Sequence, residues 1–202
     1  MLPEGFVYIA EEIPSVKEEI RYAGNHNFLS RPVDGYAAAK SVCTREAAAA
    51  LKTAAKAFAK DGYTLLIYDA YRPQRAVDHF VRWSLDLEDT AAKAEFYPTL
   101  DKAELFERGY IARRSGHSRG STIDLTLLDH EGQLLDVGGE FDWFSPISGH
   151  GYEDLTPQQK QNRLYLKKTM EAAGFSAYSE EWWHYRLTDE PYPDTYFDFP
   201  IE

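Results

Sequence analysis

Apolar and polar positions along this chain change rhythm several times, and each change predicts an element. Thr44 to Lys60 is rich in alanine, the best helix former, and Asp61-Gly62 closes it, which predicts a helix. Tyr63-Thr-Leu-Leu-Ile-Tyr68 follows, a β-prone run short enough for a buried strand. Pro73 suits a first helical turn, so Gln74 to Trp83 predicts a second helix. A third is expected over Lys102 to Arg108, stopping before Gly109, and Ile123 to Leu128 reads as a strand. Thr156-Pro-Gln-Gln159 combines an N-cap, a first-turn proline and a glutamine at the third position; Gly174 ends the helix they start. Trp182 to Leu187 reads as the last strand, with the proline- and aromatic-rich tail after Asp189 packed over the surface. Helices and strands mix without a βαβ rhythm. That predicts an α+β fold with a central, mostly antiparallel sheet flanked by helices.

Composition narrows the class. A length of 202 residues suits a single domain, 1–202, and 44% hydrophobic residues suffice for a core. The net charge of -11 argues against nucleic acid and anionic membrane surfaces as partners. Cys43 stands alone, which excludes an internal disulfide and suits a reducing compartment. The first residues lack a basic start followed by an apolar run, and no apolar stretch approaches the ~18 residues of a membrane span. A soluble cytoplasmic protein is the expectation.

Two segments carry the chemistry. Ser115-Gly-His-Ser-Arg-Gly-Ser-Thr-Ile-Asp124 and Glu181-Trp-Trp-His184 together offer two imidazoles, one ligating carboxylate and one spare carboxylate. That set can form a metal site with an open position and a base beside it. Strand alternation puts Asp124, Thr126 and Leu128 on one face, with Ile123, Leu125 and Leu127 on the other. His117 precedes that strand in a loop that can fold its ring back toward Asp124. Glu181 and His184 have opposite parity, so one regular strand cannot aim both at one metal; Glu181 belongs in the turn or bulge entering it. His117, Asp124 and His184 are therefore the candidate ligands, with Glu181 close by but unbound. The bland alternative is a hydrogen-bonded His–Asp pair, with Trp182 and Trp183 as core packing. His26, His79, His130 and His150 lack matching carboxylates in the sequence and are set aside, with His150, in its Gly-flanked loop, left open.

These segments, with Tyr68-Asp-Ala-Tyr-Arg72-Pro, Arg31-Pro-Val-Asp-Gly-Tyr36, Asp189-Glu-Pro-Tyr-Pro and Tyr196-Phe-Asp-Phe-Pro, resemble the VanX-type D-alanyl-D-alanine dipeptidases. Those are zinc D,D-peptidases that share a fold with the hedgehog signalling domain, and the similarity runs over nearly the whole chain. The resemblance implies one Zn2+ per chain on His117, Asp124 and His184, Glu181 as general base, and Arg72 as transition-state stabiliser. It implies hydrolysis of free D-alanyl-D-alanine, in glycopeptide (vancomycin) resistance or in salvage of cell-wall dipeptide.

Asp142, in Glu140-Phe-Asp-Trp-Phe144, matches the family position implicated in holding the substrate amine; its bland role is a loop or helix cap. Tyr36 and Ser115 are candidates for the carboxylate end. Gly116 departs from the serine that relatives often carry there, which removes one side chain from that task and makes the loop more flexible. The bland reading of Arg72 is a salt bridge to Asp69 or Asp78. One rival function is a D,D-carboxypeptidase or endopeptidase acting on peptidoglycan stem peptides. A second is a non-haem iron oxygenase, whose facial triad also uses two His and a carboxylate but favours His-x-Asp spacing. A third is a metal-dependent binding module without catalysis, against which Glu181 and Arg72 argue.

Overall fold

The structure, a computed structural model, describes residues 2–202. Its main sheet has five strands in the order β2 (Lys17–Glu18), β4 (Thr64–Asp69), β5 (Thr122–Leu128), β7 (His184–Leu187) and β6 (Phe175–Ala177). Only β2 runs parallel to its neighbour; the other pairings are antiparallel, as expected. β1 (Phe6–Tyr8) and β3 (Val42–Thr44) form a separate two-stranded antiparallel ribbon. Helix α1 (Ile9–Glu12) is a single turn after β1, and α4 (Lys93–Phe96) is another in the excursion after α3 (Gln74–Leu85).

Helix α2 (Arg45–Lys60) forms where alanine predicted it, with Thr44 as its N-cap accepting from the Ala47 amide. Its buried residues Ala47, Ala48, Leu51, Ala54 and Phe58 keep helical spacing and make one apolar stripe. The stripe packs against β4 and against α5 (Pro157–Ala172), which opens with the expected Thr156/Gln159 capping box. Among the described residues, no helix is long and apolar enough to cross a membrane.

Sheet register does the functional work. Asp124 on β5 stands opposite Asp69 on β4 and opposite His184 on β7. A register irregularity between Ile67 and Asp69 re-aims the end of β4 just before the Arg72 segment. Ile123, Leu125 and Leu127, of the other parity, are fully buried in the core.

Three expectations need correction. The helix expected over Lys102 to Arg108 is only a 3-10 turn, Lys102–Glu104. Lys102 is buried there with its Nζ donating to the Asp86 and Asp89 carbonyls, so tertiary bonds take the place of a helical stripe. The last strand begins at His184, not Trp182, because the Trp182 amide bonds to Ser148 outside the sheet. The tail does more than cover the surface. Phe197 N donates to the Ser118 carbonyl, Phe199 stacks on Tyr71 at 4.1 Å, and Ile201 is buried.

Because Phe58 is fully enclosed, Phe58→Ala should lower unfolding free energy by about 3–5 kcal/mol in urea titration. A loss below about 1 kcal/mol would contradict this packing.

Candidate metal centre

His117 lies on a 3-10 turn, Gly116–Arg119, whose N-cap Ser115 accepts from the His117 amide through its hydroxyl. Gly120 ends the turn at φ +86, where a Cβ would come within 2.3 Å of the Phe6 ring. The His117 imidazole donates from Nδ1 to the Ala70 carbonyl at 2.7 Å, leaving the Nε2 lone pair facing inward. That Nε2 is 3.2 Å from His184 Nδ1 and 3.3 Å from Asp124 Oδ2, and His184 Nδ1 is 3.2 Å from Asp124 Oδ1.

These separations match the edge, ~3.3 Å, of a tetrahedron whose ligands lie ~2.0 Å from a central cation. Asp124 Oδ1 is buried and accepts no hydrogen bond, a costly state unless a cation faces it. The three residues are the one group among the described residues with metal-ligand geometry. Burial alone would raise the Asp124 carboxyl; the His117 and His184 imidazoles overcome it and hold the group below the usual carboxylate range.

Glu181 sits in the turn before β7, as parity required, with Oε2 3.4 Å from His184 Nδ1. Burial pushes its carboxyl above the ordinary glutamate value, against the field of His184. Arg72 makes the salt bridge to Asp69 and also faces the cavity. Its Nε donates to Asp69 Oδ2 at 2.9 Å, while its guanidinium lines the cavity over the Tyr22 and Phe80 rings, 3.6 Å from Asp124. Asp78 is not its partner and instead accepts from Gln74.

Asp142 also lines the cavity, buried and at φ +60. Burial pushes its carboxyl up to about 8, against a 2.7 Å hydrogen bond from the Tyr22 hydroxyl. Phe28, Phe80, Phe144 and Trp183 supply apolar wall around a cavity of about 240 Å³.

Tyr36 does not line this cavity, contrary to expectation. Its buried hydroxyl donates to Asp69 Oδ1 at 2.6 Å, so it braces the acid behind Arg72. Ser115 does line it, although its hydroxyl also serves the turn. Gly116 has little room for a side chain. A Cβ there would lie 3.1 Å from Thr122 Oγ1 and 3.4 Å from Arg119, so the position is crowded and the turn capped. Sequence reasoning named Asp69 only as a possible salt-bridge partner of Arg72, and it missed Tyr22. Asp69 was visible only as the acid of the Asp-Ala-Tyr-Arg segment, and nothing local marked Tyr22.

Two histidines set aside for want of carboxylates do have them in space: His26 meets Glu95 at 2.6 Å and His79 meets Asp34 at 3.3 Å. Neither pair has a second imidazole, and neither joins a metal-type group. His130 is exposed, and half-buried His150 lies outside the cavity.

The family model described as D-ala-D-ala dipeptidase, Peptidase_M15, matches residues 3–202. A D-alanyl-D-alanine dipeptidase of Streptomyces coelicolor is 48% identical over 197 residues, 97% of this chain and 98% of the relative. One from Enterococcus faecalis is 44% identical over 201 residues, 99% of this chain and 100% of the relative. A solved D,D-pentapeptidase, VanY with Zn(II), aligns more loosely: 14% identity, TM-score 0.44, 77% of this chain and 78% of that one.

Replacing His117, Asp124 or His184 with alanine should each abolish tight binding of a divalent metal, read by metal analysis after dialysis. Wild-type metal content in any of the three would refute the ligand set. Metal affinity should also depend on pH. His184 must be proton-free to ligate, and although burial lowers its pKa, Asp124 raises it further, to a net value above the ordinary imidazole. Proton competition therefore sets in above ~6.5, and affinity falls as pH drops. Chelator competition across that range checks it; a flat affinity contradicts it.

Proposed function

The chain belongs to the D-alanyl-D-alanine dipeptidase family of M15 peptidases, and from that membership we propose a zinc enzyme, one ion per chain, that hydrolyses free D-alanyl-D-alanine with Glu181 as its base. One observation carries the reading. Three ligand atoms 3.2–3.3 Å apart line a small cavity that also holds the separate carboxylate of Glu181. A metal-dependent binding module has no need of that additional carboxylate.

His117, Asp124 and His184 would hold the zinc, which supplies a Lewis acid able to polarise a peptide carbonyl and bring a water's pKa to ~7. Glu181 takes a proton from the attacking water and passes it to the leaving amine. Its raised pKa suits both halves of that duty, since a very weak base would accept the proton poorly. Arg72, anchored by Asp69, offers its remaining N–H groups to the carbonyl oxygen as negative charge grows there; losing one such donor costs ~3 kcal/mol. Tyr36 keeps Asp69 oriented from behind.

Asp142 receives the substrate ammonium. Its carboxyl is held near-neutral without a cation, so an arriving ammonium favours ionisation and forms the pair inside the cavity. Ser115 and backbone N–H groups of the His117 turn serve the carboxylate end. The buried carboxylate of Asp142 in the cavity wall suits a free amino terminus, which disfavours the D,D-carboxypeptidase alternative. Buried, unpaired Cys43 is compatible with cytoplasmic work on such a precursor.

Glu181→Ala should retain metal and lose turnover by roughly 10²–10⁴-fold; unchanged turnover would remove it as base. Arg72→Ala should lower kcat by about 10²-fold with metal retained, and intact kcat would end its oxyanion role. N-acetyl-D-Ala-D-Ala should be a far poorer substrate than D-Ala-D-Ala. Preference for the acylated peptide would support stem-peptide cleavage instead.

A further inference from the structure

Arg163 projects from α5 and is 3% exposed, yet no carboxylate pairs with it among the described residues. Its guanidinium instead donates to three main-chain carbonyls: Nε to Val137 at 2.6 Å, Nη1 to Gly149 at 2.8 Å and Nη2 to Ile147 at 2.7 Å. A buried cation is costly, and carbonyl dipoles alone are a modest compensation. Burial accordingly lowers this guanidinium to about 10. A lysine would present one point charge where this site has three separated acceptors.

Those acceptors bracket a single loop. Val137 precedes it, Ile147 and Gly149 close it, and Asp142 stands between them in the left-handed region, at φ +60. A non-glycine residue persists there only where its surroundings over-determine it. Gly139 rests against the guanidinium: a Cβ at that position would meet Arg163 Nη2 at 3.4 Å. The closing end of the loop also holds the turn that carries Glu181. The Ser148 carbonyl accepts from Trp182 N at 2.8 Å, and His150 N donates to the Ser179 carbonyl at 2.8 Å.

We infer that Arg163 is a positioning residue for substrate recognition: by tying both ends of the 137–149 loop together, it sets Asp142 against the substrate ammonium and braces the Glu181 turn. It touches neither substrate nor metal. The inference rests on the reading of Asp142 as the ammonium partner.

The test compares D-Ala-D-Ala with propanoyl-D-Ala, the same substrate lacking its ammonium. The readout is the ratio of their kcat/KM values in wild type, Asp142→Asn, Arg163→Gln and Arg163→Lys, with metal content measured in each. The wild-type ratio should be large, and Asp142→Asn should bring it close to one. Arg163→Lys and Arg163→Gln should keep their metal yet lose about tenfold or more of the ratio, mainly through KM for D-Ala-D-Ala. A purely structural role would lower Tm and leave the ratio at its wild-type value, which overturns the inference. If Arg163→Gln does not fold, Arg163→Lys carries the test on its own. A wild-type ratio that survives Asp142→Asn defeats the Asp142 reading itself. Collapse in Asp142→Asn without collapse in the Arg163 variants defeats only the inference.

Discussion

A buried carboxylate that lacks a hydrogen bond on one oxygen organises this molecule. Asp124 sits in the middle of the sheet, 2% exposed, and the strands on both sides bring charged or ligating groups to it in register. β4 brings Asp69, and through it Arg72; β7 brings His184; the turn before β5 brings His117. A one-residue slip of β5 would turn Asp124 into the core and Ile123 into the cavity, destroying site and core together. The apolar burial of Ile123, Leu125 and Leu127 therefore fixes the position of the candidate ligand Asp124.

Charge balance supports the same conclusion. Asp69, Asp124, Asp142 and Glu181 crowd into one region, with Arg72 as the shared cation. Each acid finds a different accommodation. Asp69 takes bonds from Arg72 and Tyr36, burial raises the Asp142 carboxyl beside the Tyr22 hydroxyl, and burial raises Glu181 next to His184. Asp124 stays ionised between two imidazoles. A divalent cation there would relieve the excess of negative charge and give the Asp124 oxygen a partner. Glu181 and Asp142 are then left for the proposed proton transfer, which a raised pKa suits, and the proposed ammonium binding, in which the incoming cation favours the ionised carboxylate.

Much of this could be read from the sequence because the chemistry was local. His117 and Asp124 sit within one motif, and the opposite parity of Glu181 and His184 located the turn before β7. Long helices with explicit caps, α2 and α5, also announced themselves. What was illegible depended on contacts distant in the chain. Tyr36 looked like a ligand-facing hydroxyl, but a strand 33 residues on places Asp69 over it. Lys102 to Arg108 had helical character until the Asp86 and Asp89 carbonyls claimed the lysine. Arg163 resembles any solvent-facing helix arginine, because its acceptors belong to a loop of irregular structure.

Titrating metal-free protein with Zn2+ while following D-Ala-D-Ala hydrolysis tests the central claim most directly. Turnover should be absent at the start, rise linearly, and break at one equivalent per chain. Full turnover in the metal-free chain, or zinc bound at one equivalent with none, would contradict the account.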